Sequence, residues 1–166
     1  EKLAVSSRCS QSTQHISCIM IPSLNRVFGT LPAGIHVAAW GEIEATFGNS
    51  PKRKTLLEGL KRACLVLRAA GVAHLYLDGS FVTAKRNPGD WDACYSGVGV
   101  DSSKMDGVLL DFTNERAAQK AKYLGEVFVA EMAATTLGQP YLDFFQTERN
   151  TGRKKGIVCV DLGTIT

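Results

Sequence analysis

The stretch LYLDGSFVTAKRNPGDWDACYS, residues 75–96, constrains this chain more than any other. It places a Gly79-Ser80 pair after one apolar run and, nine residues later, Asp90-Trp91-Asp92 at the head of a second. Side chains alternate along a strand, so Asp90 and Asp92 should share one face with their Cα atoms roughly 7 Å apart. On a strand with a core side, two such carboxylates repel and lose hydration unless cations neutralise them. A pair of divalent cations is an arrangement that wants this placement, because each carboxylate can contact or bridge metals. Pro88-Gly89 predicts a turn that delivers Asp90 at the start of the strand. Gly79 allows close approach of backbone to a ligand, and a helical turn beginning at Ser80 would offer free N–H groups and a hydroxyl to phosphate oxygens.

Size and composition narrow the setting. A chain of 166 residues with 45% apolar and 21% charged residues fits one globular domain with a real core. The formal charge of +3 is too small to argue for nucleic acid by itself. Cys9, Cys18, Cys64, Cys94 and Cys159 are odd in number, widely spread and without a C-x-x-C pair. That argues against a disulfide framework and a zinc site and favours a reducing compartment. His15, His36 and His74 make no ligand spacing and read as ordinary surface or core side chains. No run approaches the ~18 apolar residues of a membrane span. The opening EKLAVSSRCSQSTQHIS lacks the basic start and apolar block of a secretory signal. Residues 1–19 are read as a poorly specified arm, residues 20–166 as a single domain, and a cytoplasmic location is expected.

Along that domain, IPSLNRVFGTLPAGIH reads as an ordered but irregular lead-in. Trp40, Ile43 and Phe47 stand at helical spacing in a short helix over 38–48, stopped by Gly48. Ser50 as N-cap and Pro51 in the first helical position open the strongest helix, with Leu56, Leu57, Leu60, Cys64, Leu67 and Ala70 on one buried face and Gly71 past its end. AHLYLDG (73–79) and WDACYS (91–96) read as strands, and DGVLLDF (106–112) as a third. NERAAQKAKYLGEVFVAEMA (114–133) is mostly helical in composition, with Asn114 as cap and Gly125 as a candidate break. YLDFFQTE (141–148) and GIVCVDL (156–162) read as two late strands around a polar basic turn, RNTGRKKG, that could close a hairpin.

Gly-Ser, nine residues, then Asp-x-Asp, each after or within strand-like sequence, resembles the signature of the DNA polymerase β-like nucleotidyltransferase superfamily. The longer string LPAGIH, FG, LLEGL, LRAAG, LDGSFVTAKRNPGDWD, LLDF and FFQTERNTGRKKGIVCVDL is similar to a small prokaryotic family of nucleotidyltransferase-like proteins. The similarity runs from about Met20 onward. It implies an α+β fold, a mixed β-sheet with helices packed mainly on one face. It also implies Mg²⁺ or Mn²⁺ held by Asp90 and Asp92, and an NTP whose phosphates contact Gly79 and Ser80. The reaction implied moves a nucleoside monophosphate to an acceptor hydroxyl, which could belong to RNA, a protein or a small molecule.

The superfamily often has a third carboxylate on a later strand. Asp111, inside VLLDF, fits best as catalytic group and metal ligand; Asp106 is the runner-up, and Asp78 could instead cap the turn at Ser80. Lys85 and Arg86, in the loop before Asp90, are either triphosphate contacts or solvated loop cations. Trp91 should point away from the two aspartates. Cys94 reads as core, and Arg149, Arg153, Lys154 and Lys155 as a solvated hairpin tip. The apolar Tyr141, Leu142, Phe144 and Phe145 should pack on the chain's own sheet, with a homodimer as the other outcome. A non-catalytic module that binds nucleotide or a protein partner, as in toxin–antitoxin pairs, is the alternative to an enzyme.

Overall fold

The computed structural model describes residues 20–166, so the arm of residues 1–19, with Cys9, His15 and Cys18, lies outside the described residues. Among the described residues, strand β1 (Gly34–Ala38) leads into helix α1 (Trp40–Phe47) and the long helix α2 (Pro51–Ala69). Then come β2 (His74–Asp78), β3 (Trp91–Tyr95), helix α3 (Ala117–Tyr123), β4 (Gly125–Val129), the short helix α4 (Tyr141–Phe145) and β5 (Gly156–Asp161). The strands form one mixed sheet in the order β1-β5-β2-β3-β4. β1 and β5 run parallel, as do β3 and β4, while β2 is antiparallel to both its neighbours. The protein is therefore a mixed α/β fold, compatible with the α+β class expected.

Helix α2 begins as its sequence dictates. Ser50 Oγ accepts from Arg53 N–H at 3.2 Å, and Pro51 occupies the first turn, where its missing N–H costs nothing. Leu56, Leu57, Leu60, Cys64 and Leu67 are buried along one stripe. Gly59 sits where α2 meets α3, and a Cβ there would strike the carbonyl of Tyr123. That close crossing explains a glycine that would otherwise weaken the helix by about 1 kcal/mol.

One face of the sheet carries the main core: Leu75, Leu77, Trp91, Ala93, Val127, Val158 and Val160 pack with buried residues of α1, α2 and α3. The alternate side chains, Tyr76, Cys94, Phe128 and Ile157, form a smaller cluster with Tyr141, Leu142, Phe144 and Phe145 of α4. Three helices thus cover one face and α4 part of the other. The aromatic stretch packs on its own sheet. Trp91 points away from the aspartates, as expected, with its Nε1–H donating to the Tyr123 carbonyl at 2.9 Å.

Four expectations are corrected. The segment 106–112 is not a strand but a 3-10 turn, Gly107–Leu110. Asp106 accepts from Val108 N–H and Asp111 from Thr113 N–H, so each carboxylate folds the chain back on itself. Gln119, fully buried, holds that turn by donating to the carbonyls of Leu109 and Asp111 while accepting from Val127 N–H. The helix of 114–133 ends at Tyr123, Leu124 takes a left-handed conformation (φ 63°), and the chain enters β4. Residues 141–145 are helix rather than strand, because Tyr141 and Phe145, a step of four apart, put their rings on one side against Phe128. The lead-in of 21–36 is irregular only to Ala33; β1 then forms the sheet edge. The basic turn does close on itself, through a bridge between Thr147 and Lys154.

A candidate active site in an acidic cleft

Strand alternation puts Asp78, Asp92 and Glu126 on the sheet face opposite the main core. The ladder aligns them: Asp78 pairs with Asp92 across β2 and β3, and Asp92 with Glu126 across β3 and β4. Three adjacent strands therefore present a row of carboxylates, with half-buried Asp90 just before β3. The row floors a cleft of about 710 Å³, walled by Gly79, Ser80 and Thr83 on one side, by Phe128, Tyr141, Phe144 and Phe145 on another, and rimmed by Thr147–Asn150 and Lys155.

At the end of β2 the chain turns sharply. Gly79 has φ +74°, and a Cβ there would run into Asp92 Oδ2, so only glycine fits against that carboxylate. Ser80 opens the 3-10 turn Ser80–Val82, and among the described residues its hydroxyl has no hydrogen-bond partner. The loop that follows is anchored from below. Arg53, buried at 3% exposure, donates to the carbonyls of Phe81 (2.7 Å), Thr83 (2.9 Å) and Lys85 (2.6 Å) and lies over the Phe81 ring.

Charge is distributed unevenly along the row. Lys155 Nζ lies 2.5 Å from Asp78 Oδ1, both largely buried. Burial raises the Asp78 carboxyl above its ordinary value, and Lys155 works against that rise. Glu126 has Lys120 at 3.1 Å and Arg116 at 3.9 Å. Arg116 is delivered by three consecutive non-glycine residues with positive φ, Asn114, Glu115 and Arg116, a conformation costing on the order of 1–2 kcal/mol per residue. Burial opposes the Lys120 ammonium, but Glu126, with Asp90 and Asp92 beyond it, holds it above its ordinary value.

Asp92 is the group without compensation. Among the described residues no cation or N–H donor pairs with the side chains of Asp90 or Asp92. Burial, then the negative charges of Asp90, Glu126 and Asp78, push the Asp92 carboxyl up to about 7, and Glu126 lies close enough to take a hydrogen bond from its protonated form. This donor set fits a hard divalent cation, since Mg²⁺ is commonly held by one or two carboxylates with substrate phosphates and water completing its shell. The fit is of that open kind, because among the described residues no three His, Cys, Asp or Glu side chains are gathered into a ready cage.

Of the residues expected at the site, Asp92, Gly79 and Ser80 line the cleft, and Asp90 adjoins it. Lys85 and Arg86 are exposed and line no part of it; Lys85 contributes its backbone to the Arg53 anchor. Asp111 is spent on the Thr113 turn, accepting from its N–H at 2.9 Å and its hydroxyl at 2.6 Å, which holds it below the usual carboxylate range. Asp106 is held down to about 2 by Lys122, Tyr123 and Val108. Neither lines the cleft. Glu126, which the sequence did not single out, lines the cleft beside Asp92. Lys155, read as part of a solvated tip, is instead a cleft cation, and Arg153 pairs with Glu148 and stacks on Phe28. Cys94 is core, its thiol pushed up to about 12 by burial.

The fold and cleft together define a small mixed α/β protein with an acidic site on the sheet face that α4 covers only in part. The chain belongs to DUF6932, a family of unknown function whose model matches residues 22–161. No curated protein and no solved structure matches it. Among the described residues no helix is long and apolar enough to cross a membrane.

Proposed function

We propose that the protein is a nucleotidyltransferase that moves a nucleoside monophosphate from an NTP to an acceptor hydroxyl, on a nucleotidyltransferase-like fold. The observation that carries this reading is the carboxylate row Asp78–Asp92–Glu126 beside a Gly79-Ser80 turn that Asp92 itself touches. Mg²⁺ or Mn²⁺ held by Asp90 and Asp92 would neutralise triphosphate charge and acidify the attacking hydroxyl. Ser80, with its hydroxyl unpartnered, would donate to phosphate oxygens next to Gly79, where no side chain blocks approach. Glu126, kept near cations, would take the proton as the acceptor oxygen bonds to the α-phosphorus, while the bond from that phosphorus to the β-phosphate oxygen breaks and pyrophosphate leaves. Lys155, paired with Asp78 directly before Gly79, would steady the leaving charge.

A nucleotide-binding module without catalysis is the second reading. It is favoured by the cations already paired with Asp78 and Glu126 and by the lack of a ready metal cage among the described residues. Incubation with NTPs labelled at the α-phosphate, Mg²⁺ or Mn²⁺, and RNA, protein and small hydroxylated acceptors separates the two. Label transfer with pyrophosphate release, lost in Asp92→Asn, is expected of the enzyme. NTP binding with neither transfer nor pyrophosphate release, whether or not metal is present, would favour the module.

A further inference from the structure

Beyond the carboxylate row the cleft turns aromatic. Phe128 follows Glu126 by two residues on the same face of β4, a step of roughly 7 Å, which is the kind of span a ribose sets between phosphate and base. Phe128 itself is already covered: the Arg116 guanidinium carbon lies 3.9 Å from its ring centroid and the Tyr141 ring 4.3 Å from it. Phe145 is buried. Phe144 differs. It is half-buried, lines the cleft, and has the guanidinium carbon of Arg149 5.7 Å from its centroid. Arg153 closes on Phe28 at 3.6 Å, as Arg116 does on Phe128, so the Arg149–Phe144 pair is an open member of the same kind of stack. Arg149 is exposed, and among the described residues its side chain has no ion pair or hydrogen bond. Its neighbour Glu148 is already taken by Arg153 and Thr151.

We propose that Phe144 and Arg149 form the stacking site for the nucleobase of the donor nucleotide, with the Asn150 amide offering hydrogen bonds along the base edge. This rests on the reading of the cleft as an NTP site and adds which residues hold the base. A flat heterocycle stacks on an aromatic ring and on a guanidinium plane alike. Two such layers of ~3.5 Å need about 7 Å between Arg149 and Phe144, so a small swing of an exposed arginine opens the gap. The two ends of the cleft then match the two ends of one ligand: phosphates at Gly79, Ser80 and Lys155, base at Phe144 and Arg149.

Calorimetric titration with Mg²⁺ present tests this, using ATP, GTP, CTP and UTP in turn and inorganic tripolyphosphate as the base-free probe. Phe144→Leu should weaken binding of the preferred NTP by about tenfold, and Arg149→Gln by about three- to tenfold, with tripolyphosphate unchanged in both. Phe144→Tyr, which keeps the ring face, should retain wild-type affinity, and the exposed Arg149→Gln guards against a folding artefact in the Leu variant. No loss in either Phe144→Leu or Arg149→Gln, or an equal loss for tripolyphosphate, overturns the stacking site and leaves the NTP reading standing. A wild-type protein that binds neither NTPs nor tripolyphosphate overturns both.

Discussion

Replacing Asp92 by asparagine should make the metal-free protein more stable, and increasingly so as pH rises. Asp92 is raised from an ordinary 3.8 to about 7, by burial first and by Asp90, Glu126 and Asp78 after it. A carboxyl raised in the folded state binds a proton that the unfolded chain has already released, so stability falls with pH across that window. The ceiling, at 1.36 kcal/mol per pH unit between the two values, is ~4 kcal/mol. Because the carboxylate faces an open cleft, water screens part of it, and a gain of ~2 kcal/mol for Asp92→Asn above pH 7 is the working figure. That corresponds to about 4–8 °C in Tm for a chain of this size. Urea unfolding in a metal chelator, followed by the fluorescence of buried Trp40 and Trp91, should give nearly equal stabilities at pH 4, divergence through pH 5–7, and a constant gap above. Saturating Mg²⁺ should narrow the gap by stabilising the wild type alone. Equal stabilities at every pH, or a less stable Asp92→Asn at pH 8, would show that the carboxylate row carries no uncompensated charge.

Four further substitutions separate architecture from chemistry. Arg53→Met strips a charged donor from three loop carbonyls and should cost about 3 kcal/mol, lowering Tm in a thermal melt by about 6–12 °C. Lys155→Met leaves Asp78 buried and unpaired and should cost ~3 kcal/mol at pH 8, with most of the loss recovered by adding Asp78→Asn and by lowering pH until Asp78 protonates; a loss that persists in the double variant would refute the pairing argument. Asp111→Asn should change stability by less than ~1 kcal/mol and leave label transfer intact, whereas Glu126→Gln should lower transfer from the α-labelled NTP at least about tenfold while leaving metal-dependent NTP affinity in place.

Much of the frame was legible because its signals are local. Ser50-Pro51 and the stripe Leu56–Leu67 define α2, and Gly79 answers to a positive φ and a carboxylate pressed against it. The alternation around Trp91 places Asp92 on the open face without knowledge of what the strand pairs with. The misread segments are those where partners decide. GEVFV is five residues long inside helix-forming composition, and it becomes a strand because β3 offers a ladder and the core takes Val127. Leu124 ends α3 in a left-handed conformation without a glycine to signal it. VLLD looks like a strand by apolarity, but Asp106 and Asp111 each cap a turn two residues on, and buried Gln119 holds those turns in place. Asp111 therefore lies outside the cleft, while Glu126, two residues before Phe128, lines it, a placement readable only once β4 is known.

The most direct test of the central claim is equilibrium binding of NTPs to the wild type and to Asp92→Asn, each with Mg²⁺ and with a chelator. The account predicts NTP binding that requires the metal in the wild type and falls at least tenfold in Asp92→Asn, although that variant folds more stably. NTP binding of equal strength in all four conditions, or none in any, would contradict it.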